Sequence, residues 1–313
     1  MNAPLNRILL AAGLAISLLD AAWIAAGHFR IDAHNYALLF FVMLPLLGTA
    51  WYYGAVRREE AIATTLAGTG FLIVFPAGCS LLSYLLMTIA GPRIDTMLAG
   101  IDHAMGFSWP VLMGWAAQHK ILNTLLAWVY VSVMPQTVFL LLLLGWKNRC
   151  AAIYGLCLAL AGGAVITLAL WTMFPSFGAF SIFILPRDIA SRLGLVVGFD
   201  YARDLVAMLR HGPGFISPTE LRGVVGFPSY HTVQALVLIW YARHLKGLRW
   251  AALTLNIAVL AATPIQGGHH LIDLAGGGVV ALCAIALADR VVRWAWRQPA
   301  PVLAALSDGY LAR

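Results

Sequence analysis

Eight stretches of this chain are apolar over the length of a membrane crossing, or close to it: 8–27, 36–54, 61–90, 122–145, 150–174, 227–242, 250–266 and 271–289. About 20 apolar residues of helix cross about 30 Å of hydrocarbon. No strand-like alternation competes with the helical reading, and no internal repeat is visible. The pattern predicts an all-α, polytopic integral membrane bundle of about eight transmembrane helices. The third stretch is long and carries Pro76, which predicts a tilt or kink. Composition points the same way. Of 313 residues, 61% are hydrophobic and 11% charged, and mean hydropathy is +0.84. An average soluble domain is about a quarter charged. An ordinary soluble globule, a disordered chain and a secreted disulfide scaffold are therefore excluded.

The net charge of +7 is read against this frame as a topology signal rather than a nucleic-acid footprint. With the N-terminus inside, the short connectors 55–60, 146–149 and 243–249 hold seven basic residues: Arg57, Arg58, Lys147, Arg149, Arg243, Lys246 and Arg249. The opposite connectors, 28–35, 91–121, 175–226 and 267–270, are far longer and hold eight. This contrast predicts both termini in the cytoplasm, most simply at a bacterial inner membrane. Arg7 and the apolar run after it resemble a cleaved signal peptide, but Asp20 fits one poorly, so the first span is expected to stay. The chain divides into an N-terminal helix pair (1–60), a six-helix catalytic core including the external loop (61–290), and a cytoplasmic tail (291–313).

Chemistry is expected on the external side. Residues 91–121 read as an interfacial helical stretch, with Trp109 and Trp115 suited to the headgroup level. Segment 175–226 holds amphipathic stretches around 187–197 and 200–210, suiting a lid or a cover. Two histidine-bearing segments meet the same surface: Phe227-Pro228-Ser229-Tyr230-His231-Thr232, and Thr263 through Asp273 with Gly267-Gly268-His269-His270 at its centre. Ionisable groups at membrane depth are costly and mark functional sites. His269 and Asp273 are four apart, so they share a face if the last helix begins before His269. The aspartate can then fix the imidazole tautomer, leaving the other nitrogen as nucleophile or base. Ser229 can cap the helix carrying His231, and N–H groups at that helix start favour a phosphate.

Other chemistries have less support. His269, His270 and Asp273 could offer metal ligands, but no H-E-x-x-H or cysteine cluster accompanies them. No metal and no cofactor are expected. Cys79, Cys150, Cys157 and Cys283 form no C-x-x-C pair and read as packing residues. His28, His34, His103, His119, His211 and His244 read as structural.

Pro228-Ser229-Tyr230-His231 and His269 through Asp273, followed by Ala275-Gly276-Gly277, resemble the second and third signatures of the phosphatidic acid phosphatase type 2 superfamily. F-P-S-Y-H-T with T-P-I-Q-G-G-H-H-L-I-D is similar to its inositol phosphorylceramide synthase (inositolphosphotransferase) branch, as are I-D-H-A-M-G-F-S-W-P and the Phe174-Pro175 turn. The resemblance implies a metal-independent lipid phosphatase or phosphotransferase of sphingolipid-type metabolism. In it His269 is the nucleophile forming a phosphohistidine, Asp273 orients it, and His231 is the acid/base. The family spacing selects His269 over His270. The implied partners are a lipid phosphate substrate and water or a lipid-hydroxyl acceptor. The chain departs from the family in two places. Thr263 stands where the third signature usually has arginine, and the first signature is not recognisable. Of the external arginines Arg187, Arg192, Arg203, Arg210 and Arg222, the last two are preferred as substrate-binding residues, beside Ser229. A non-catalytic lipid-phosphate transporter or flippase is the alternative.

Overall fold

The computed structural model describes residues 3–219 and 223–297. Its helices, in chain order, are α1 (Ala3–Gly27), α2 (Ala33–Trp51), α3 (Glu60–Leu86), α4 (Asp95–Ala104), α5 (Trp109–Gln118), α6 (Lys120–Val131), α7 (Val133–Trp146), α8 (Cys150–Met173), α9 (Arg187–Ala190), α10 (Phe199–His211), α11 (Tyr230–Ala242), α12 (Arg249–Gln266) and α13 (Leu271–Arg297). This is a helical membrane bundle. Two residue pairs, β1 (Arg30–Ile31) and β2 (Phe215–Ile216), form a parallel bridge.

All eight apolar stretches fold as helix, but they are not equal. Among the described residues five helices, α1, α2 with its continuation to Val56, α3, α8 and α13, are long and apolar enough to cross a membrane, and α6 with α7 makes a sixth. That pair bends by 47°. Pro135 lacks the N–H that would bond Val131, and the Ser132 hydroxyl donates to the Val129 carbonyl at 2.6 Å, so both features fall at the bend. α11 has 13 residues, about 20 Å of helix. α12 carries Arg249, Asn256 and Gln266, which lowers its hydropathy. Both are core helices with one end each at the site.

α8 is the central helix, packed on α3, α7, α11 and α13. Lipid tails are as apolar as leucine, so association here depends on close packing of small residues. α8 supplies Ala152, Gly155, Ala159 and Gly163, all buried. The N-terminal pair packs along α3. Its hairpin loop is tied to the 175–226 segment by the β bridge and by the Ser217 hydroxyl, which donates to Asp32 at 2.8 Å.

The segments expected on the external side differ from expectation in detail. Residues 91–121 form two short helices, α4 and α5, separated at Gly106, whose φ is +79°. Trp109 is not an exposed interfacial side chain. It is 2% exposed, and its indole N–H donates to the Pro264 carbonyl at 2.9 Å; Trp115 does remain exposed. The amphipathic stretch near 187–197 shortens to the four residues of α9, whereas 200–210 folds as α10. α13 runs on through Arg297; the rest of the expected tail lies outside the described residues.

Candidate active site

Chain direction brings four helix ends together. The C-terminal ends of α8 and α12 and the N-terminal ends of α11 and α13 lie at one end of the bundle, and the basic connectors 146–149 and 243–249 at the other. Ser229 is fully buried and caps α11, its hydroxyl accepting from the Thr232 N–H at 3.4 Å. The first turn of α11 therefore presents His231. The Ser229 N–H donates to the Asp273 carbonyl at 3.0 Å, joining the two histidine segments. Gly277 permits this: a Cβ there would run into the Ser229 carbonyl and lie 2.8 Å from the Thr232 Cβ.

α13 begins at Leu271, after His269, so the pair does not meet as neighbours on a helical face. Asp273 instead reaches back over the helix start. One carboxylate oxygen lies 3.1 Å from His269 Nδ1 and accepts from the His270 N–H at 2.9 Å. Asp273 is fully buried and His269 is 4% exposed. A carboxylate at an N-terminal turn also complements the helix dipole. The remaining N–H groups of that turn are taken by Asp102 of α4. Leu271 and Ile272 donate to its two oxygens at 2.8 and 3.0 Å.

The neighbouring turn has the same logic. Asp95, seven residues before Asp102, accepts from the Ser176 hydroxyl and from the Phe177 and Gly178 N–H groups at 2.8 to 2.9 Å. It also pairs with Arg93 at 2.7 Å. The turn then packs on the segment that carries His269, where Ala179 N–H donates to the Gly268 carbonyl at 2.6 Å. Gly268 has φ +64°, a conformation that favours glycine. Gln266 completes the frame: its amide donates to the Asn123 side chain at 2.6 Å and accepts from the Val196 N–H at 3.0 Å.

His231 and His269 face each other with ring centroids 6.5 Å apart. Both line a cavity of about 560 Å³. Tyr130, Gln234 and Gly267 also line it, and the rest comes largely from apolar faces of α3, α7 and α8, such as Phe71, Phe75, Val138 and Leu168. Val197, Tyr201 and Val224 of the 175–226 segment also border it. Met134 and Val138 in that wall are 59% and 50% exposed, so the cavity borders the lipid-facing surface of α7.

Of the expected site residues, His231, His269 and Asp273 come together. His270 does not line the cavity; it is buried, with Nδ1 3.6 Å from Asp102. Ser229 serves as a cap. Arg210 stands exposed in the last turn of α10, and Arg222 lies outside the described residues. Among the described residues no lysine or arginine lines the cavity; Arg93 stands behind the wall, over the Phe177 ring at 5.2 Å. Among the described residues no group of three or more histidine, cysteine, aspartate or glutamate side chains is arranged to hold a metal ion.

A buried His–Asp pair faces a second histidine at one end of a largely apolar cavity within the helix bundle. A family model described as the PAP2 superfamily matches residues 96–287. The chain belongs to the PAP2 superfamily, whose members are phosphatases and phosphotransferases, and this supports such activity on lipid phosphates. No curated protein and no solved structure matches the chain.

Proposed function

We propose that the protein is an integral-membrane lipid phosphatase or phosphotransferase working through a phosphohistidine on His269. The observation that carries this reading is the cavity: two facing histidines at one end, hydrocarbon-like walls over most of the rest. A lipid fits such a site with its phosphate at the histidines and its tail among Phe71, Phe75 and Leu168.

With Nδ1–H donated to Asp273, His269 keeps its Nε2 lone pair for phosphorus. The Nε2–P bond forms as the bond from phosphorus to the leaving oxygen breaks. Protonated His231 gives that oxygen its proton. Neutral His231 then takes a proton from the acceptor hydroxyl, whose oxygen bonds to phosphorus as the Nε2–P bond breaks. Both histidines end as they began. General acid–base help of this kind contributes about a hundredfold to ten-thousandfold, and the oriented membrane substrate lowers the encounter entropy.

Water as acceptor gives a phosphatase, and a lipid hydroxyl a transferase. The deep burial of His269 and Asp273, with the F-P-S-Y-H-T signature, favours the inositolphosphotransferase-like reaction. The charge of the connectors at the other end favours an external, periplasmic site with both termini inside. The test is incubation of detergent-purified protein with a panel of lipid phosphates, with and without hydroxylated lipid acceptors and with excess chelator, products being read by mass spectrometry. Turnover that persists in chelator supports the reading. Transport without turnover, or turnover abolished by chelation and restored by a divalent ion, contradicts it.

A further inference from the structure

We infer that Gln234 of α11 selects the lipid, its side-chain carbonyl accepting a hydrogen bond from an N–H or O–H on the carbon next to the one that carries the phosphate. The inference rests on the reading of the cavity as a lipid-phosphate site and adds a residue that reads the lipid below its phosphate. Gln234 comes three residues after His231, so the two share a face of α11, and both line the cavity. Three residues of helix carry it about 4.5 Å further into the bundle. A lipid with its phosphate at the histidines brings the neighbouring carbon to that level.

The carboxamide is short of partners. Gln234 is 9% exposed. Its amide donates to the Met134 sulfur at 3.8 Å, and a thioether is a weak acceptor. Its carbonyl oxygen accepts no hydrogen bond among the described residues. Burying a polar group without a partner is costly, and carboxamides in membrane helices commonly tie one helix to another. Two others in this bundle do so. Gln136 accepts from Asn256 at 2.8 Å, and Gln266 donates to Asn123 at 2.6 Å. Gln234 instead borders the cavity. The Ser83 and Thr137 hydroxyls, on residues of the same wall, are taken by the Ser80 and Val133 carbonyls of their own helices.

The atom left over sets the class of lipid. Sulfur accepts but has no hydrogen to give, so Met134 holds the NH2 end of the carboxamide and leaves the oxygen for a ligand. That oxygen needs a donor. An ester linkage or an isoprenoid chain offers none beside the phosphate, whereas an amide N–H or a free hydroxyl does. The apolar wall, with Phe71, Phe75 and Leu168, suits the chain that follows.

The experiment compares kcat/KM of the purified full chain, in mixed micelles, on two lipid phosphates with the same chains. One carries an N-acyl linkage on the carbon next to the phosphate-bearing one; the other has an ester there, with oxygen in place of the N–H. The wild-type protein should prefer the amide by about fivefold to a hundredfold, the range for one buried group left without its partner. Gln234→Met keeps the length of the side chain and removes the acceptor, and should bring the ratio close to one by slowing turnover of the amide lipid. Should the methionine protein fail to stay monodisperse, Gln234→Asn keeps the carboxamide but draws it back by one methylene, and should shrink the ratio as well. A wild-type ratio near one, a ratio that survives the substitution, or an equal loss on both lipids would overturn this inference alone. No turnover of either lipid by the wild-type protein would remove the lipid-phosphate reading and this inference with it.

Discussion

Asp273 bonds the His269 ring and the His270 backbone with one oxygen, at 3.1 and 2.9 Å. The same carboxylate closes the first turn of α13 and, on the proposed reading, sets the tautomer of His269 as nucleophile. Helix capping and the orientation proposed for catalysis are then one interaction.

The first prediction separates the histidines. His269→Ala should be inactive on every substrate. His231→Ala should lose about a hundredfold to ten-thousandfold on lipid esters and recover partly on an activated aryl phosphate that enters the cavity. Asp273→Asn should fall between, with geometry kept and tautomer control weakened. Steady-state kinetics on both substrate types decide it. Rescue of His269→Ala instead would reverse the roles, and an active His269→Ala with an inactive His270→Ala would move the nucleophile by one residue.

Asp102 is predicted to matter for stability before chemistry. Asp102→Ala would leave the Leu271 and Ile272 N–H groups without their partner beside a buried site. The expected cost is about 1–3 kcal/mol for each group left unsatisfied, seen as a lower unfolding temperature in detergent. Asp102→Asn should restore about half, since its amide keeps one acceptor oxygen. An unchanged unfolding temperature in Asp102→Ala would show that the cap is dispensable.

Much of this was legible in the sequence, and the limits have physical causes. The apolar runs gave the helices because lipid forbids unpaired backbone. His231, His269 and Asp273 were legible because their spacing and sidedness agree. The start of α13 at Leu271 matches the apolar run, but the way Asp273 reaches back to His269 was not legible, because the group that holds that turn, Asp102, is distant in sequence. Asp95 and Asp102 do carry a signal: they lie seven apart on the buried face of α4, with Leu98 between them. Acids on such a face seek partners. Trp109 was expected at a headgroup level because nothing local announces the Pro264 carbonyl. Tyr130 carries no local signal, since a tyrosine in an apolar helix reads as packing until its neighbour across the bundle is known.

Sidedness gives the next prediction. In a background without the native cysteines, single cysteines at Gly214 and Gly247, both exposed with open space at Cβ, report opposite ends of the bundle. An impermeant thiol reagent on intact cells should label Gly214→Cys and spare Gly247→Cys. The reverse pattern would invert the orientation. Gly267 is unsuitable as a probe because its surroundings admit no side chain.

The central claim is that phosphorus passes through His269. The direct measurement is rapid acid-free quenching of the purified His231→Ala protein with an activated aryl phosphate, followed by peptide mass spectrometry under neutral conditions. With the acid/base histidine gone, the first step proceeds on the good leaving group and the second slows, so the intermediate accumulates. The account predicts one phosphate on His269, absent in His269→Ala and lost on acid treatment. Phosphate on His270, or full turnover with no phosphorylated protein at any time, would contradict it.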